Sequence, residues 1–136
     1  MFELQVFSNK IDGTQHLALI KGKIYKKDDV FVRMHTFNIF DDFLGLKNNN
    51  ELDKSMELIN ERGKGVIVIL RNPKKEIMIN SIKNSNNKTI LKEYGIGAQI
   101  LIKIGVKNII LLTNKNRSII GIDGFGIHIK RNKKLD

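Results

Sequence analysis

Two runs of apolar residues, at 66–70 and 106–112, constrain the fold more than any other feature of this sequence. The first reads Val-Ile-Val-Ile-Leu, and the second ends in Ile-Ile-Leu-Leu. A strand with one face in water alternates apolar and polar residues, whereas a strand that is apolar on both faces is buried on both. The two runs therefore predict central strands of a sheet that is covered by helices.

Helical patterns lie before, between and after these strands. In residues 51–62 the apolar side chains recur at spacings of four and three, acids stand at the start, and Gly63 follows the end, as an amphipathic helix requires. We predict a second helix at 91–104, a short helix at 116–122 and a last strand at 126–129. The order strand, helix, strand, helix, strand implies right-handed crossovers and a parallel or mixed sheet.

The first third of the chain has the pattern of strands with one face in water. Apolar and polar residues alternate over residues 2–6, 16–20 and 30–34. Asp12-Gly13 is a turn signal between the first two, and a charged run separates the second from the third. These strands predict a small antiparallel sheet. The predicted fold class is therefore α/β, with N-terminal antiparallel strands followed by a β-α-β-α-β mixed sheet.

Length and composition fit a single domain, because 136 residues with 41% apolar content can bury one core. We divide it into a strand-rich part at 1–36, an α/β part at 51–130 and a solvated tail at 131–136, with an exposed loop at 71–89. The N-terminus lacks a signal-peptide pattern, and no apolar run approaches the roughly 20 residues of a membrane span. We therefore expect a cytoplasmic location and no membrane partner.

The chain has 24 basic and 14 acidic residues, which gives a formal net charge of +10. Residues 1–61 sum to −2 (8 basic, 10 acidic), residues 62–92 to +7 (8 basic, 1 acidic) and residues 93–136 to +5 (8 basic, 3 acidic). An anion would therefore bind the middle third. Only five of the basic residues are Arg, the side chain that reads bases and phosphates with a bidentate fork, so the composition argues against a nucleic-acid partner.

Three stretches have distinctive sequences: residues 11–22 (IDGTQHLALIKG), residues 94–101 (YGIGAQIL) followed by 111–114 (LLTN), and residues 121–126 (GIDGFG). The sequences of these stretches and their order along the chain resemble those of GTP cyclohydrolase II, the zinc enzyme that opens the guanine ring of GTP at the start of riboflavin synthesis. That family often forms the C-terminal half of a protein whose N-terminal half is 3,4-dihydroxy-2-butanone 4-phosphate synthase. The resemblance implies the fold of that family, a homodimer, and an attached or partner synthase.

The zinc ligands of that family are missing from this chain. After residues 33–36 (RMHT) the family carries a Glu and the first of three zinc-binding cysteines, whereas this chain has Phe37 and Asn38. The other two cysteines belong to an R-C-D-C-G segment, which is replaced by a shorter stretch around residues 47–50. Because the chain has no Cys, no zinc-thiolate site can form, and we expect no cofactor and no metal ligand.

The phosphate-binding and catalytic segments also differ from the family. Its R-Q-E-G-R-G-I-G-L segment reads RNPKKEIMI here, which keeps Arg71 but loses the glycines that let backbone amides approach a phosphate. In the family's D-x-R-D-Y motif the Asp is the proton acceptor and the Arg the proposed nucleophile. Aligned on Tyr94, these positions are Ile90 and Lys92, and an isoleucine cannot transfer a proton. We therefore assign no catalytic residue.

Six residues could still touch a nucleotide, and we treat them as a vestigial binding site. They are Arg33, His35, Thr36, Arg71, Thr113 and Arg117. Each also has a structural alternative, such as a strand-end Arg or a turn hydroxyl. The pair Gly95-x-Gly97 is not a dinucleotide fingerprint, because it lacks the third glycine and does not directly follow a strand.

The leading interpretation is a catalytically degenerate GTP cyclohydrolase II-like domain of riboflavin biosynthesis. It would be retained for structure, dimerisation or regulation of the synthase half. One alternative is a nucleotide sensor that binds phosphates through the basic segment 62–92, with weak affinity for GTP or phosphate. The other is an active GTP cyclohydrolase II of the riboflavin pathway with an atypical site.

Overall fold

A six-stranded mixed sheet with two helices organises the part of the chain that the structure, a computed structural model, describes: residues 1–36, 51–71, 87–114 and 126–135. The elements in chain order are β1 (Glu3–Ser8), β2 (Gln15–Lys21), β3 (Asp29–Thr36), α1 (Glu51–Arg62), β4 (Gly65–Leu70), α2 (Asn87–Ile104), β5 (Asn108–Leu112) and β6 (His128–Lys133). The strand order β1-β2-β4-β3-β5-β6 confirms the α/β class and the mixed sheet.

One strand pairing differs from the prediction. β2 pairs antiparallel with β1 and with β4, whereas β3 pairs parallel with β4 and with β5. The N-terminal antiparallel set is therefore β1 and β2 alone, and β3 belongs to the parallel strands. The physical reason is that β3 is buried on both faces, since Val30, Phe31 and Val32 are at most 6% exposed. A strand of that kind is stable in the centre of a covered sheet.

The two helices cover opposite faces of the sheet. On one face, Ala98 and Leu101 of α2 belong to the same buried cluster as Val68 of β4. On the other face, Ile59 of α1 packs in a second cluster with Ile67, the neighbour of Val68 along β4. The β3-to-β4 and β4-to-β5 connections run in opposite directions along the sheet, so two right-handed crossovers place their helices on opposite faces.

The turn between β1 and β2 is where the sequence predicted it. Gly13 has a φ of 72°, a left-handed conformation that suits glycine. The Thr14 amide donates to the Asp12 side chain at 2.8 Å, and the Ile11 amide donates to the Asn9 side chain at 2.9 Å. The turn thus satisfies its own backbone amides and leaves β1 as an outer strand of the sheet.

A charged contact ties the turn before β3 to the start of β4. The carboxylate of Asp28 accepts a hydrogen bond from the Tyr25 amide at 3.0 Å and lies 3.3 Å from the Lys64 ammonium. The amide, followed by Lys64, lowers the pKa of Asp28 below its ordinary value of 3.8. Because the pKa is lowered, the charged carboxylate stabilises the fold at pH values above the ordinary pKa of 3.8. This contribution is lost as the pH falls through the lowered pKa of the folded state.

The elements near the C-terminus differ from the prediction in their ends. β6 continues to Lys133, and Leu135 beyond it is 5% exposed, where the sequence predicted a solvated tail. An edge strand needs only one line of backbone partners, so basic side chains do not prevent its pairing with β5. Helix α2 begins at Asn87, inside the predicted loop. The predicted helix at 116–122 and most of that loop lie outside the described residues.

Neither described helix is long and apolar enough to span a membrane.

Two glycines allow close contact between the helices and the sheet. A Cβ on Gly65 would lie 2.6 Å from both Cγ1 and Cγ2 of Ile59 in α1. A Cβ on Gly97 in α2 would lie 2.5 Å from Sδ of Met34. Gly97 is therefore explained by packing, in agreement with the exclusion of a dinucleotide fingerprint.

We expect the Gly65→Ala substitution to lower the free energy of unfolding by about 1–3 kcal/mol, because the added methyl group overpacks a core that cannot move. Ile59 is fully buried, and its branched side chain is stiff. The matched control is Gly97→Ala, for which we expect a loss below about 1 kcal/mol, since the flexible end of Met34 can shift. Urea unfolding of both variants measures the difference, and equal losses would contradict this account.

Candidate functional site

The chain leaves the sheet in opposite directions at the carboxyl ends of β3 and β4. From β3 it continues to α1 on one face, and from β4 it continues to α2 on the other. In open α/β sheets a crevice forms outside the strands at such a point, and ligands bind there. The carboxyl edge around β3, β4 and β5 is therefore the candidate site.

Four of the six predicted site residues lie at this edge. His35 and Thr36 end β3, Arg71 directly follows β4, and Thr113 directly follows β5. Thr36 is paired in register with Leu70, so that Thr36 and Arg71 lie on neighbouring strand ends. Thr113 is 9% exposed, and its amide donates to the carbonyl of a β6 residue at 3.0 Å.

The fifth predicted residue, Arg33, is held inside the fold. Its Nη2 lies 2.5 Å from Oε2 of Glu51, the first residue of α1, and its Nη1 donates to the carbonyl oxygen of Leu112 at 3.1 Å. The side chains of Arg33 and Glu51 are only 11% and 16% exposed. One guanidinium thus connects the end of β3 with the start of α1 and the end of β5, and this geometry favours the structural role for Arg33. The sixth, Arg117, lies outside the described residues.

His16 belongs to the same edge, although it is not among the six residues predicted from the sequence. It is 3% exposed and lies in antiparallel β2, one residue before the Leu17–Ile69 pair. Its Nδ1 accepts a hydrogen bond from the Arg71 amide at 3.1 Å, so the neutral ring carries its proton on Nε2. The contact fixes the chain at the point where it leaves β4. The one signal for it was the stretch at 11–22, which contains His16.

The polar side chains of the edge are divided between the two faces of the sheet. Successive residues of a strand point to opposite faces. His35 therefore shares the α1 face with Phe31, whereas Thr36 shares the α2 face with Met34. Both are half-buried, and Arg71 is exposed. A single small ligand could contact both β3 residues only at the rim, outside the strand ends.

The residues present do not fit the zinc site that the resemblance implies. The chain has no Cys to supply a thiolate. His16 and His35 are on opposite faces of the sheet, and His128 lies at the amino end of β6, at the other edge. Within the described ranges, no three His, Asp or Glu side chains are grouped in a way that could hold a metal ion.

Comparison with known proteins gives consistent matches over nearly the whole chain. The profile of the family described as GTP cyclohydrolase II matches residues 1–134. The chain is 36% identical over 141 residues to the monofunctional riboflavin biosynthesis protein RIBA 2 of Arabidopsis thaliana, which covers 94% of this chain and 30% of the relative.

Two further relatives show the same relation in length. The chain is 32% identical to the probable monofunctional riboflavin biosynthesis protein RIBA 3 of Oryza sativa, over 95% of this chain and 28% of the relative. It is 31% identical to the riboflavin biosynthesis protein RibBA of Bacillus subtilis, over 98% of this chain and 39% of the relative. The chain therefore spans about a third of the length of the curated relatives it matches.

We expect Arg33→Ala to lower the free energy of unfolding by about 3 kcal/mol, because it leaves a buried carboxylate without its partner. Arg131→Ala is the matched control: Arg131 is an exposed arginine of the same sheet, and its loss should change stability by less than about 0.5 kcal/mol. Urea unfolding followed by circular dichroism measures both values. Equal stability of the two variants would mean that Arg33 is not a structural residue.

Proposed function

The chain belongs to the GTP cyclohydrolase II family, and on that premise we propose that it is a catalytically degenerate member that serves riboflavin biosynthesis. Its role would be structure, dimerisation or regulation of a 3,4-dihydroxy-2-butanone 4-phosphate synthase. The pathway comes from the relatives, which are named riboflavin biosynthesis proteins. The degenerate state comes from the residues of this chain.

The observation that carries the proposal is the missing set of metal ligands. Opening a guanine ring by hydrolysis needs an activated water, and a bound metal supplies one by lowering the pKa of that water towards about 7. This chain contains no thiolate, and the histidines are spread over two faces and two edges of the sheet. The chain therefore has no described group of side chains that could hold such a metal.

The positions that would perform proton transfer and attack are also replaced. Aligned on Tyr94, they are Ile90 and Lys92 in this sequence. Arg33, which could have faced a ligand, is engaged with Glu51 and the Leu112 carbonyl. The carboxyl edge thus keeps hydroxyl and imidazole groups, but Ile90, at the matched position of the proton acceptor, cannot transfer a proton.

The core, by contrast, is intact. Val66, Ile67, Val68 and Ile109 are fully buried, and each such side chain contributes about 1.5–3 kcal/mol by its removal from water. A chain under selection for its fold but not for its chemistry would keep the buried core residues and lose the metal-binding and catalytic residues. This contrast supports retention of the domain for a structural or regulatory role.

The proposed partner is a synthase, either attached or separate. The resemblance implies such a half in proteins of this family, and this chain spans 39% of the RibBA relative from Bacillus subtilis. The remaining length of such relatives leaves room for it. The plant relatives are named chloroplastic, and the cytoplasmic location of this chain stays a prediction.

The proposed homodimer would form through the outer strand β1. Leu4 and Val6 are 57% and 54% exposed on the same side of this strand. Residues 1–21 carry two acidic and two basic side chains, a net charge of zero, in a chain of net charge +10. Because the whole chain has a net charge of +10, contact through this neutral apolar edge avoids bringing the basic parts of two copies together.

A nucleotide sensor is the second candidate, and one observation favours it. Thr36 ends β3, and Arg71 and Thr113 directly follow β4 and β5, at the point where ligands bind in sheets of this kind. Residues 62–92 carry a net charge of +7 (8 basic, 1 acidic), which would attract phosphates. Loss of the glycine cradle would make such a site weak.

We expect no formate release from GTP by the purified chain, with or without added zinc, because the chain has no Cys and its described His, Asp and Glu side chains form no group that could hold a metal to activate water. An active GTP cyclohydrolase II in the same buffer is the positive control. Formate release above the blank would show that the chain is an active enzyme with an atypical site, and would contradict the proposal that it is catalytically degenerate.

Isothermal titration calorimetry with GTP separates the sensor from the structural role. Association through unspecific charge should fade between low salt and about 150 mM salt, where the Debye length falls to about 8 Å. Binding that persists at the higher salt and is lost in Arg71→Ala, but not in the exposed control Lys23→Ala, would favour the sensor.

For the dimer, we expect the double substitution Leu4→Lys and Val6→Lys to give a monomer in light scattering where the parent chain is a dimer, because both side chains would meet their copies at β1. Lys10→Glu and Lys23→Glu, at exposed positions outside the strand, are the control and should leave the mass unchanged. A monomeric parent chain, or a dimer that tolerates both lysines, would rule out this interface.

A further inference from the structure

Strand β6 forms the second outer edge of the sheet, opposite β1. Its inner side is held along its length: the His128 amide donates to the Lys107 carbonyl at 2.8 Å, and the Thr113 amide donates to the Lys133 carbonyl at 3.0 Å. Both ends are anchored, since Ile127 and Leu135 are 1% and 5% exposed. Among the described residues, no strand pairs with its outer side.

This edge concentrates positive charge. Residues 126–135 contain four basic side chains, Lys130, Arg131, Lys133 and Lys134, and no acidic one, which gives +4. A bulge inserts Lys130 beside Arg131, because Ile109 pairs with Ile129 while Ile110 pairs with Arg131. Neither of the two ion pairs within the described residues involves this strand.

We propose that the β6 edge binds an extended acidic segment of a partner protein by strand addition. Outer backbone groups of an edge strand bind an added strand through main-chain hydrogen bonds, and complementary charge selects which strand binds. A held strand loses little conformational entropy on binding, because its conformation is already set by β5 and by the two buried ends.

The charge of the edge excludes a second copy as its occupant. Two β6 strands would bring +4 against +4, and like charges on facing strands destabilise pairing. The neutral edge at β1 lacks this repulsion, so the two edges of one sheet differ in the partner that they accept. Lysines on an edge strand prevent pairing with neutral strands. The same lysines attract an acidic one.

An acidic peptide also fits this edge better than a nucleic acid. Residues 126–135 contain no Phe, Tyr or Trp on which bases could stack, and only one Arg. The edge offers a line of backbone groups, which pairs with another backbone and not with a sugar-phosphate chain.

The test uses a fluorescent capped peptide of alternating Glu and Val and the full chain at about 150 mM salt, where unspecific attraction is screened. We expect binding that shifts the backbone amide NMR signals of residues 128–134. Reversing two exposed charges, by Arg131→Glu with Lys134→Glu, should weaken binding by about tenfold or more, since Arg131 lies in β6 and Lys134 directly follows it. The neutral pair Arg131→Gln with Lys134→Gln should give an intermediate loss and guards against misfolding of the first variant.

Two controls separate strand addition from general attraction. Lys10→Glu with Lys23→Glu changes the net charge by the same −4 at exposed sites outside β6, and should alter affinity by less than about twofold. A peptide N-methylated at every residue keeps the charge but has no backbone amide to donate to β6 from either of its edges, and should not bind. Four outcomes would each overturn the proposal. The methylated peptide binds equally well, or the two charge reversals have equal effects. Alternatively, an oligouridine binds β6 more tightly than the peptide, or the peptide does not bind at about 1 mM.

Discussion

Burial of β3 and β4 on both faces is the constraint on which the rest of this structure depends. Val66, Ile67 and Val68 are all fully buried, so the chain must place cover above and below them. Helices α1 and α2 supply that cover from opposite sides. Because right-handed crossovers reach opposite faces only by running in opposite directions, the same requirement creates the diverging strand ends that form the candidate site. The position of the site is thus a consequence of core burial.

The local patterns of the sequence predicted the elements better than their arrangement. Helix α1 has the predicted bounds, and β4 begins one residue before the predicted strand, because helical spacing and continuous apolar runs report burial directly. The insertion of β4 between β2 and β3 was not predictable in this way. Which strands become neighbours depends on residues far apart in the chain, and a turn signal before β3 says only that the chain changes direction.

The sequence named the members of the candidate site, and their binding role stays a prediction. His35, Thr36, Arg71 and Thr113, which were named by resemblance, lie together at the carboxyl edge of the sheet. The contacts of His16 and Arg33 were not visible in the sequence. Each is a polar side chain whose partner lies on an element distant along the chain, Arg71 in one case and Glu51 in the other. Both contacts hold the carboxyl edge of the sheet in place.

The place of β4 in the strand order also governs how the chain can assemble as it is made. The hairpin of β1 and β2 is complete after about twenty residues, but the inner side of β2 waits for residues 65–69. Strand β3 emerges before either of its neighbours, so its backbone groups wait for β4 and β5, and its apolar faces wait for α1 and α2. Non-local pairings of this kind slow folding. During synthesis, β3 is therefore the described strand that waits for later partners on both of its sides.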